Sequence, residues 1–280
     1  MTDVIVTGAS GFIGRALVRR LERDGLDVLA LRRDAGDIAD AATWRDLPKT
    51  KTVMHLAGRS YVPDSWKEPY DFLRANVIGT GQALSYCQRH GAKLILASAY
   101  VYGVPERLPL SENHPMHPNN PYALSKRMAE ELCEFACRFQ GVAAAVLRLF
   151  NVYGPGQRPE FLIPTILSQL CTGRDIRVMD LTPRRDYVYV EDVADAFVQA
   201  AKLPPGCHVF NIGSGRSHSV QEIIDTLQRV AGTALPVVSE NAVRPQEIPD
   251  VVADISRAKE ILGWSPRRSL EQGLKELLAR

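Results

Sequence analysis

Thr7-Gly8-Ala9-Ser10-Gly11-Phe12-Ile13-Gly14 separates a continuous apolar run, Val4–Thr7, from a stretch with helical spacing, Phe12–Arg23. Glycines at 8, 11 and 14 permit a tight turn, a close approach of backbone to a diphosphate, and close packing of helix on strand. A helix beginning there presents free N–H groups and the positive end of its dipole to phosphate. The spacing is G-x-x-G-x-x-G, not the G-x-G-x-x-G of the usual fingerprint, so the strand–loop–helix setting carries the reading. It predicts a dinucleotide held by Gly8, Ser10, Gly11, Phe12, Ile13 and Gly14.

Outward from this loop, short runs rich in Val, Ile, Leu and Ala recur at Asp27–Leu31, Thr52–His55, Lys93–Ser98 and Val142–Leu147. Helical patterns at about Tyr70–His90 and Tyr122–Phe139 separate the later ones. Such alternation predicts an α/β fold, a doubly wound parallel Rossmann sheet with helices on both faces. Only about twenty residues join Leu31 to Thr52, so that corner is expected to be abbreviated. After Asn151 the texture changes. Pro155, Pro159 and Pro164 punctuate a loop and a helix over Phe161–Cys171, followed by strands at Tyr187–Val190 and His208–Ile212 and helices at Ser219–Ala231 and Ser269–Leu278. The expected division is a Rossmann domain of residues 1–152 plus 186–213, and a smaller mixed α/β substrate lobe of 153–185 plus 214–280.

The 280 residues suit roughly two lobes with no need of disulfides or metal. Hydrophobic content of 45% and charged content of 24% are those of a globular protein and exclude disorder or a coiled coil. A net charge of +2, with Arg pairs scattered along the chain, argues against nucleic-acid binding. No apolar run is long enough to span a membrane, and no signal-peptide pattern opens the chain. Cys87, Cys133, Cys137, Cys171 and Cys207 lack metal-ligand spacing, and Cys133 and Cys137 read as a small apolar helix face. His114 and His117 sit in a proline-bearing loop, and no metal site is expected. A reduced, cytoplasmic protein is the expectation.

Three further positions carry chemistry. A nicotinamide dinucleotide site commonly holds the adenosine ribose with an acid about twenty residues past the glycines. Arg32 and Arg33 stand there instead, which suits a 2′-phosphate and favours NADP(H), with NAD possible if Asp34 or Asp37 takes the ribose. Asn120 and Pro121 open a helix that puts Tyr122 and Lys126 at i and i+4 on one face. A nearby ammonium is expected to lower the phenol pKa, making Tyr122 a general acid/base for a hydroxyl or carbonyl. Ser98 ends a strand, where parallel sheets build their sites.

These features lie in order with others: His55-Leu-Ala-Gly58, Asn76-Val-Ile-Gly-Thr80, Ser98-Ala-Tyr-Val-Tyr-Gly103, Arg148-Leu-Phe-Asn-Val-Tyr-Gly-Pro155, Arg185-Asp-Tyr-Val-Tyr-Val-Glu-Asp-Val193, Asn211-Ile-Gly213 and Arg244-Pro-Gln-Glu247. Across nearly its whole length the chain resembles the extended short-chain dehydrogenase/reductases, in their NAD-dependent epimerase/dehydratase branch acting on nucleotide sugars. The resemblance implies that Tyr122 is the acid/base, that Lys126 holds the nicotinamide ribose, and that Ser98 orients the sugar oxygen. It places Asp37 and Ile38 beside the adenine, and Leu56, Ala57 and Gly58 along the far ribose. Leu149, Asn151 and Val152 fall by the same resemblance near the cofactor, with Asn151 also toward the substrate diphosphate. Arg185 and Arg244 would clamp that diphosphate and Glu247 would reach the nucleotide ribose. A homodimer through a four-helix bundle is likewise implied, and the spacing of Met128, Leu132, Phe135, Ala136 and Phe139 supplies an apolar stripe that could face a partner or the sheet.

Where dehydratases of this family place acids after the serine or threonine, this chain has Ala99 and Tyr100, so water elimination is not expected. An NADPH-dependent 4-ketoreductase of a nucleotide-diphospho-4-keto-6-deoxy sugar, a GDP sugar among the candidates, is the favoured reading. A 4-epimerase holding NAD tightly is the alternative, and a silent NADP-binding scaffold a remote one.

Overall fold

The structure, a computed structural model, describes residues 2–242 and 247–279. Six parallel strands form the central sheet: β1 (Val4–Thr7), β2 (Val28–Leu31), β3 (Thr52–His55), β4 (Lys93–Ala99), β5 (Ala144–Leu149) and, after three intervening short strands, the edge strand Cys207–Ile212. Those intervening strands are β6 (Asn151–Tyr153), β7 (Ile176–Val178) and β8 (Arg184–Tyr189), which makes the edge strand β9; β10 (Ser217–Ser219) and β11 (Val237–Ser239) follow. The order β2-β1-β3-β4-β5-β9 reverses direction of travel between β1 and β3, the switch point at which open α/β sheets bind ligands. β1, β3 and β4 are apolar and almost wholly buried along their length, as strands covered on both faces must be.

The helices are α1 (Phe12–Arg23), α2 (Ala41–Arg45), α3 (Val62–Lys67), α4 (Pro69–Leu73), α5 (Gly79–His90), α6 (Pro121–Phe139), α7 (Leu162–Thr172), α8 (Val190–Lys202), α9 (Val220–Ala231), α10 (Ser256–Glu260) and α11 (Leu270–Leu278). Leu17 and Leu21 of α1 and Val193 and Phe197 of α8 build the core on one sheet face. Ala83 and Leu84 of α5 with Ala129 and Cys133 of α6 build it on the other. The abbreviated corner is a single 3₁₀ turn, Arg33–Ala35, and the five-residue α2, whose buried Trp44 donates to the Ile38 carbonyl at 2.9 Å. The single helix expected over Tyr70–His90 differs: α4 and α5 are joined by a π turn, Arg74–Ile78, that rotates Asn76 inward.

A third core, including Tyr153, Ile166, Leu170, Tyr189, Ile223, Leu227 and Leu274, gathers α7, α9 and α11 against small sheets β10-β8-β6 and β11-β7. β6 and β8 pair directly, Asn151 with Tyr187, so one small sheet straddles the expected lobe boundaries. The strand expected at Tyr187–Val190 begins earlier, at Arg184, because it gains β10 as an antiparallel partner. Among the described residues no helix is long and apolar enough to cross a membrane.

Candidate active site at the carboxyl ends of the strands

Gly8 turns with φ +66°, a backbone conformation side chains disfavour, and a Cβ there would come within 2.7 Å of the Ala57 nitrogen. A Cβ on Gly14 would meet the Gly8 oxygen at 2.2 Å, so the first turn of α1 packs directly on the loop. Gly11 caps α1 with no side-chain bond, and no acid occupies the first turn. Ser10 and Gly11 are exposed. An uncapped, acid-free helix start beside exposed backbone fits a dinucleotide diphosphate. Arg15 ties this loop to the turn after β6, donating to the Ser10 oxygen at 2.7 Å and the Gly156 oxygen at 3.0 Å.

Thr7 Oγ1 gathers the ends of β1 and β3. It lies 2.8 Å from His55 Nδ1 and accepts from the Leu56 and Ala57 nitrogens at 3.2 and 3.1 Å. Burial pushes His55 down to about 3, with the Lys126 charge adding to it, so its ring is neutral and structural. Gly58 leaves room for Asn76, whose Oδ1 would stand 2.4 Å from a Cβ there. Asn76 accepts from the Arg59 nitrogen at 2.9 Å and donates to the Arg59 oxygen at 3.0 Å and to Ser125 Oγ at 2.8 Å.

The helix start expected at Asn120 and Pro121 is present: Asn120 Oδ1 accepts from the Ala123 nitrogen at 2.8 Å. Tyr122 is half-buried, edge-on to Phe72 with ring centroids 6.2 Å apart. Its hydroxyl makes no hydrogen bond among the described residues, while buried Lys126 donates to the Ala97 oxygen at 2.9 Å. The expected lowering of the Tyr122 pKa is not what the structure gives. Burial raises it, and burial lowers Lys126 to about 8 against the opposing pull of the Glu130 charge.

Ser98 lies on the sheet face covered by α6, where its hydroxyl donates to Glu130 of the helix that carries Tyr122 and Lys126. Glu130 is buried and clamped by Arg148, Nη2 to Oε2 at 2.8 Å and Nε to both oxygens. Arg148 continues to Tyr102 at 2.9 Å, and Tyr102 to Asn211 at 2.5 Å. Sequence reasoning did not single out Glu130 as a site neighbour, although it stands four residues beyond Lys126 and eight beyond Tyr122 on the same helix face. Ala99 is buried and the Tyr100 hydroxyl donates to the Gly103 oxygen, so no acid follows Ser98 in space along the strand.

At the adenosine end, Arg32 and Arg33 are exposed where β2 stops, and neither guanidinium makes a side-chain hydrogen bond or ion pair with another described residue. Asp37 accepts from the Ala39 nitrogen at 2.9 Å and from Arg74 at 3.1 Å. The Ala39 N–H foremost, then the Arg74 and Arg33 charges, hold its carboxyl below the usual range against a smaller opposing effect of burial. Ile38 is half-buried against Gly79. Leu149 is buried, Val152 half-buried and Asn151 exposed at the mouth of β6. Arg185 gives its guanidinium to Glu247 and to the Arg184 and Ile248 oxygens, so two residues expected to meet substrate meet each other. Arg244 lies outside the described residues.

The chain belongs to the NAD dependent epimerase/dehydratase family, whose model matches residues 4–213. It is an NAD(P)-dependent enzyme of the extended short-chain dehydrogenase/reductase type, with a nicotinamide dinucleotide as cofactor. It is 34% identical to a UDP-glucose 4-epimerase of Azospirillum brasilense, over 97% of this chain and 89% of that protein. It is 32% identical to a GDP-6-deoxy-D-mannose reductase of Pseudomonas aeruginosa, over 99% and 96%. Among solved structures, the UDP-glucose 4-epimerase of Thermotoga maritima with UDP-glucose superposes with TM-score 0.93 at 31% identity, covering 99% of this chain and 98% of that one. RMD from Pseudomonas aeruginosa, complexed with NADPH, gives 0.89 at 30% identity, covering 100% and 98%.

Proposed function

We propose that this enzyme is an NADPH-dependent ketoreductase acting on the 4-keto group of a nucleotide-diphospho-6-deoxyhexose, a GDP sugar being the first to try. The observation that carries the reading is the exposed Arg32–Arg33 pair at the end of β2, whose side chains make no hydrogen bond or ion pair among the described residues, beside an Asp37 already engaged by Arg74. Two free guanidinium groups there match a 2′-phosphate, and the similar reductase structure holds NADPH.

When bound, the dinucleotide supplies the hydride. Tyr122 gives its phenolic proton to the oxygen of the reduced carbonyl, and a phenol that burial keeps protonated suits that direction. Lys126 stabilises the phenolate so formed and holds the nicotinamide ribose. Ser98, with its own proton on Glu130, keeps oxygen lone pairs for the sugar hydroxyl. Ser10 to Gly14 hold the diphosphate; Ile38 and Leu56 to Gly58 line the adenosine side, and Leu149, Asn151 and Val152 the nicotinamide side. The lobe of residues 153–185 and 214–280 takes the nucleotide sugar, with Arg185 and Glu247 exchanging their mutual bond for substrate contacts and Arg244 joining them.

The second reading is a 4-epimerase holding NAD, favoured by the epimerases among the relatives. Mass spectrometry of the nucleotide released from denatured protein separates the two. NADP(H), or an empty site that then oxidises NADPH with a GDP-4-keto-6-deoxyhexose, is the expected result; retained NAD overturns it in favour of epimerisation.

We also propose self-association through α6 and its neighbour α5. The apolar stripe divides: Ala136 is buried against the sheet, whereas Met128, Phe135 and Phe139, with Leu124, stand exposed. Sedimentation should give a dimer, and a monomer at micromolar concentration would exclude the bundle.

A further inference from the structure

The corner after β2 is ill suited by its own charge to an anion. Residues 32–40 hold two arginines, Arg32 and Arg33, and three aspartates, Asp34, Asp37 and Asp40, so the segment is net negative by one. All five stand exposed. Asp37 follows the Arg33–Ala35 turn after a single glycine, Gly36. Its carboxyl is held down by the Ala39 N–H foremost, then by Arg74 and last by the Arg33 charge, against a smaller opposing effect of burial. A doubly charged 2′-phosphate arriving at Arg32 and Arg33 therefore meets acids close by, and the repulsion falls on NADPH alone, since NADH has no such phosphate.

Arg74 brings the missing positive charge from another element. It opens the π turn after α4, and its Nε and Nη2 donate to Asp37 Oδ2 at 3.2 and 3.1 Å. Nη2 also donates to Asp40 Oδ1 at 2.7 Å. The corner is held in shape by bonds of its own. The Ala39 nitrogen donates to Asp37 Oδ1 at 2.9 Å, Thr43 Oγ1 to the Asp37 carbonyl at 2.7 Å, and Trp44 Nε1 to the Ile38 carbonyl at 2.9 Å. Both partners of each Arg74 pair are about half exposed, and ion pairs of that kind add little to stability. What Arg74 changes is the local field.

We propose that Arg74 is a specificity-determining residue for the cofactor: by neutralising Asp37 and Asp40 it permits Arg32 and Arg33 to take the 2′-phosphate of NADPH, without itself touching that phosphate. The inference rests on the NADPH reading given above. It makes cofactor preference a property of the summed charge of the corner and the π turn, not of the two β2 arginines alone.

The test is fluorescence titration of the full chain with NADPH and with NADH at low and at high salt. Arg74→Met should weaken NADPH about 3- to 10-fold at low salt and NADH less than about twofold, with the difference fading near about 0.5 M salt. Arg74→Lys, which keeps the charge, should keep the wild-type ratio of the two affinities. Asp37→Asn added to Arg74→Met removes one acid, retains the acceptor for the Ala39 nitrogen, and should restore most of that ratio. Equal weakening of NADPH and NADH by Arg74→Met would make Arg74 structural and overturn the proposal. So would an unchanged ratio, a change that persists undiminished at high salt, or no recovery with Asp37→Asn. A wild-type protein that binds NADH the more tightly would overturn the reductase reading instead, and the shift in ratio on Arg74→Met would still decide the role of Arg74.

Discussion

The Ser98 hydroxyl donates to a Glu130 carboxylate that Arg148 grips through Nε and Nη2, so the carboxyl end of β4 is joined to the middle of α6 by a fully buried charge pair. The arrangement engages both Glu130 oxygens beneath the site, one with Ser98 and Arg148 and the other with Arg148.

Removing one partner of such a pair strands the other charge. Arg148→Met is expected to cost about 3–5 kcal/mol of stability at neutral pH, measured by urea unfolding. A loss under ~1 kcal/mol would mean that the Arg148–Glu130 pair does not anchor this end of β4.

Tyr122→Phe removes only the hydroxyl and keeps the ring against Phe72. Hydride transfer should fall about 10²–10⁴-fold while dinucleotide titration shows unchanged affinity. A variant that keeps the wild-type rate would assign the proton to another group.

Arg32→Ala with Arg33→Ala should weaken NADPH binding roughly 10- to 100-fold and leave NAD binding nearly unchanged, as loss of one or two charge-assisted contacts requires. Equal weakening of both cofactors would dissociate the pair from the 2′-phosphate.

A Cβ at residue 58 would stand 2.4 Å from Asn76 Oδ1 and 3.6 Å from Lys126 Nζ. Gly58→Ala should therefore destabilise the protein by about 1–3 kcal/mol and impair cofactor binding with it, since Asn76 must move. Calorimetry of the variant with and without dinucleotide checks both.

His55 titrates near 6.5 when unfolded and about 3 when folded. Between those values the unfolded chain binds the extra proton, so the neutral, buried ring contributes stability that is present above pH 6.5 and lost as pH falls toward 3. The slope is at most about 1.4 kcal/mol per pH unit. His55→Asn should flatten this limb in unfolding measurements from pH 7 to 4; an unchanged slope would place the acid sensitivity elsewhere.

Much of this organisation is readable along the chain. The glycine loop, the alternation of apolar runs with helical patterns, and the Asn120–Pro121 helix start depend on local backbone preference, and the structure contains them, with the helix expected over Tyr70–His90 divided in two. The π turn at Arg74–Ile78 is not readable, because the groups that bond the inward Asn76, Arg59 and Ser125, lie on other segments of the chain. Nor is the fate of Arg185, whose partners Glu247 and Ile248 stand some sixty residues away in sequence.

By itself the sequence determined the family, the parallel sheet and the i, i+4 pairing of Tyr122 with Lys126, since repeat spacing and short-range geometry need no knowledge of what lies opposite. The tertiary structure alone decided which charges are spent on one another. Arg148 on Glu130, Arg185 on Glu247 and Arg74 on Asp37 are engaged, while Arg32 and Arg33 stand in solvent with no ion pair among the described residues. It also decided that desolvation, which depends on everything packed around a group, moves Tyr122 upward against the expectation from its spacing to Lys126, and moves Lys126 downward.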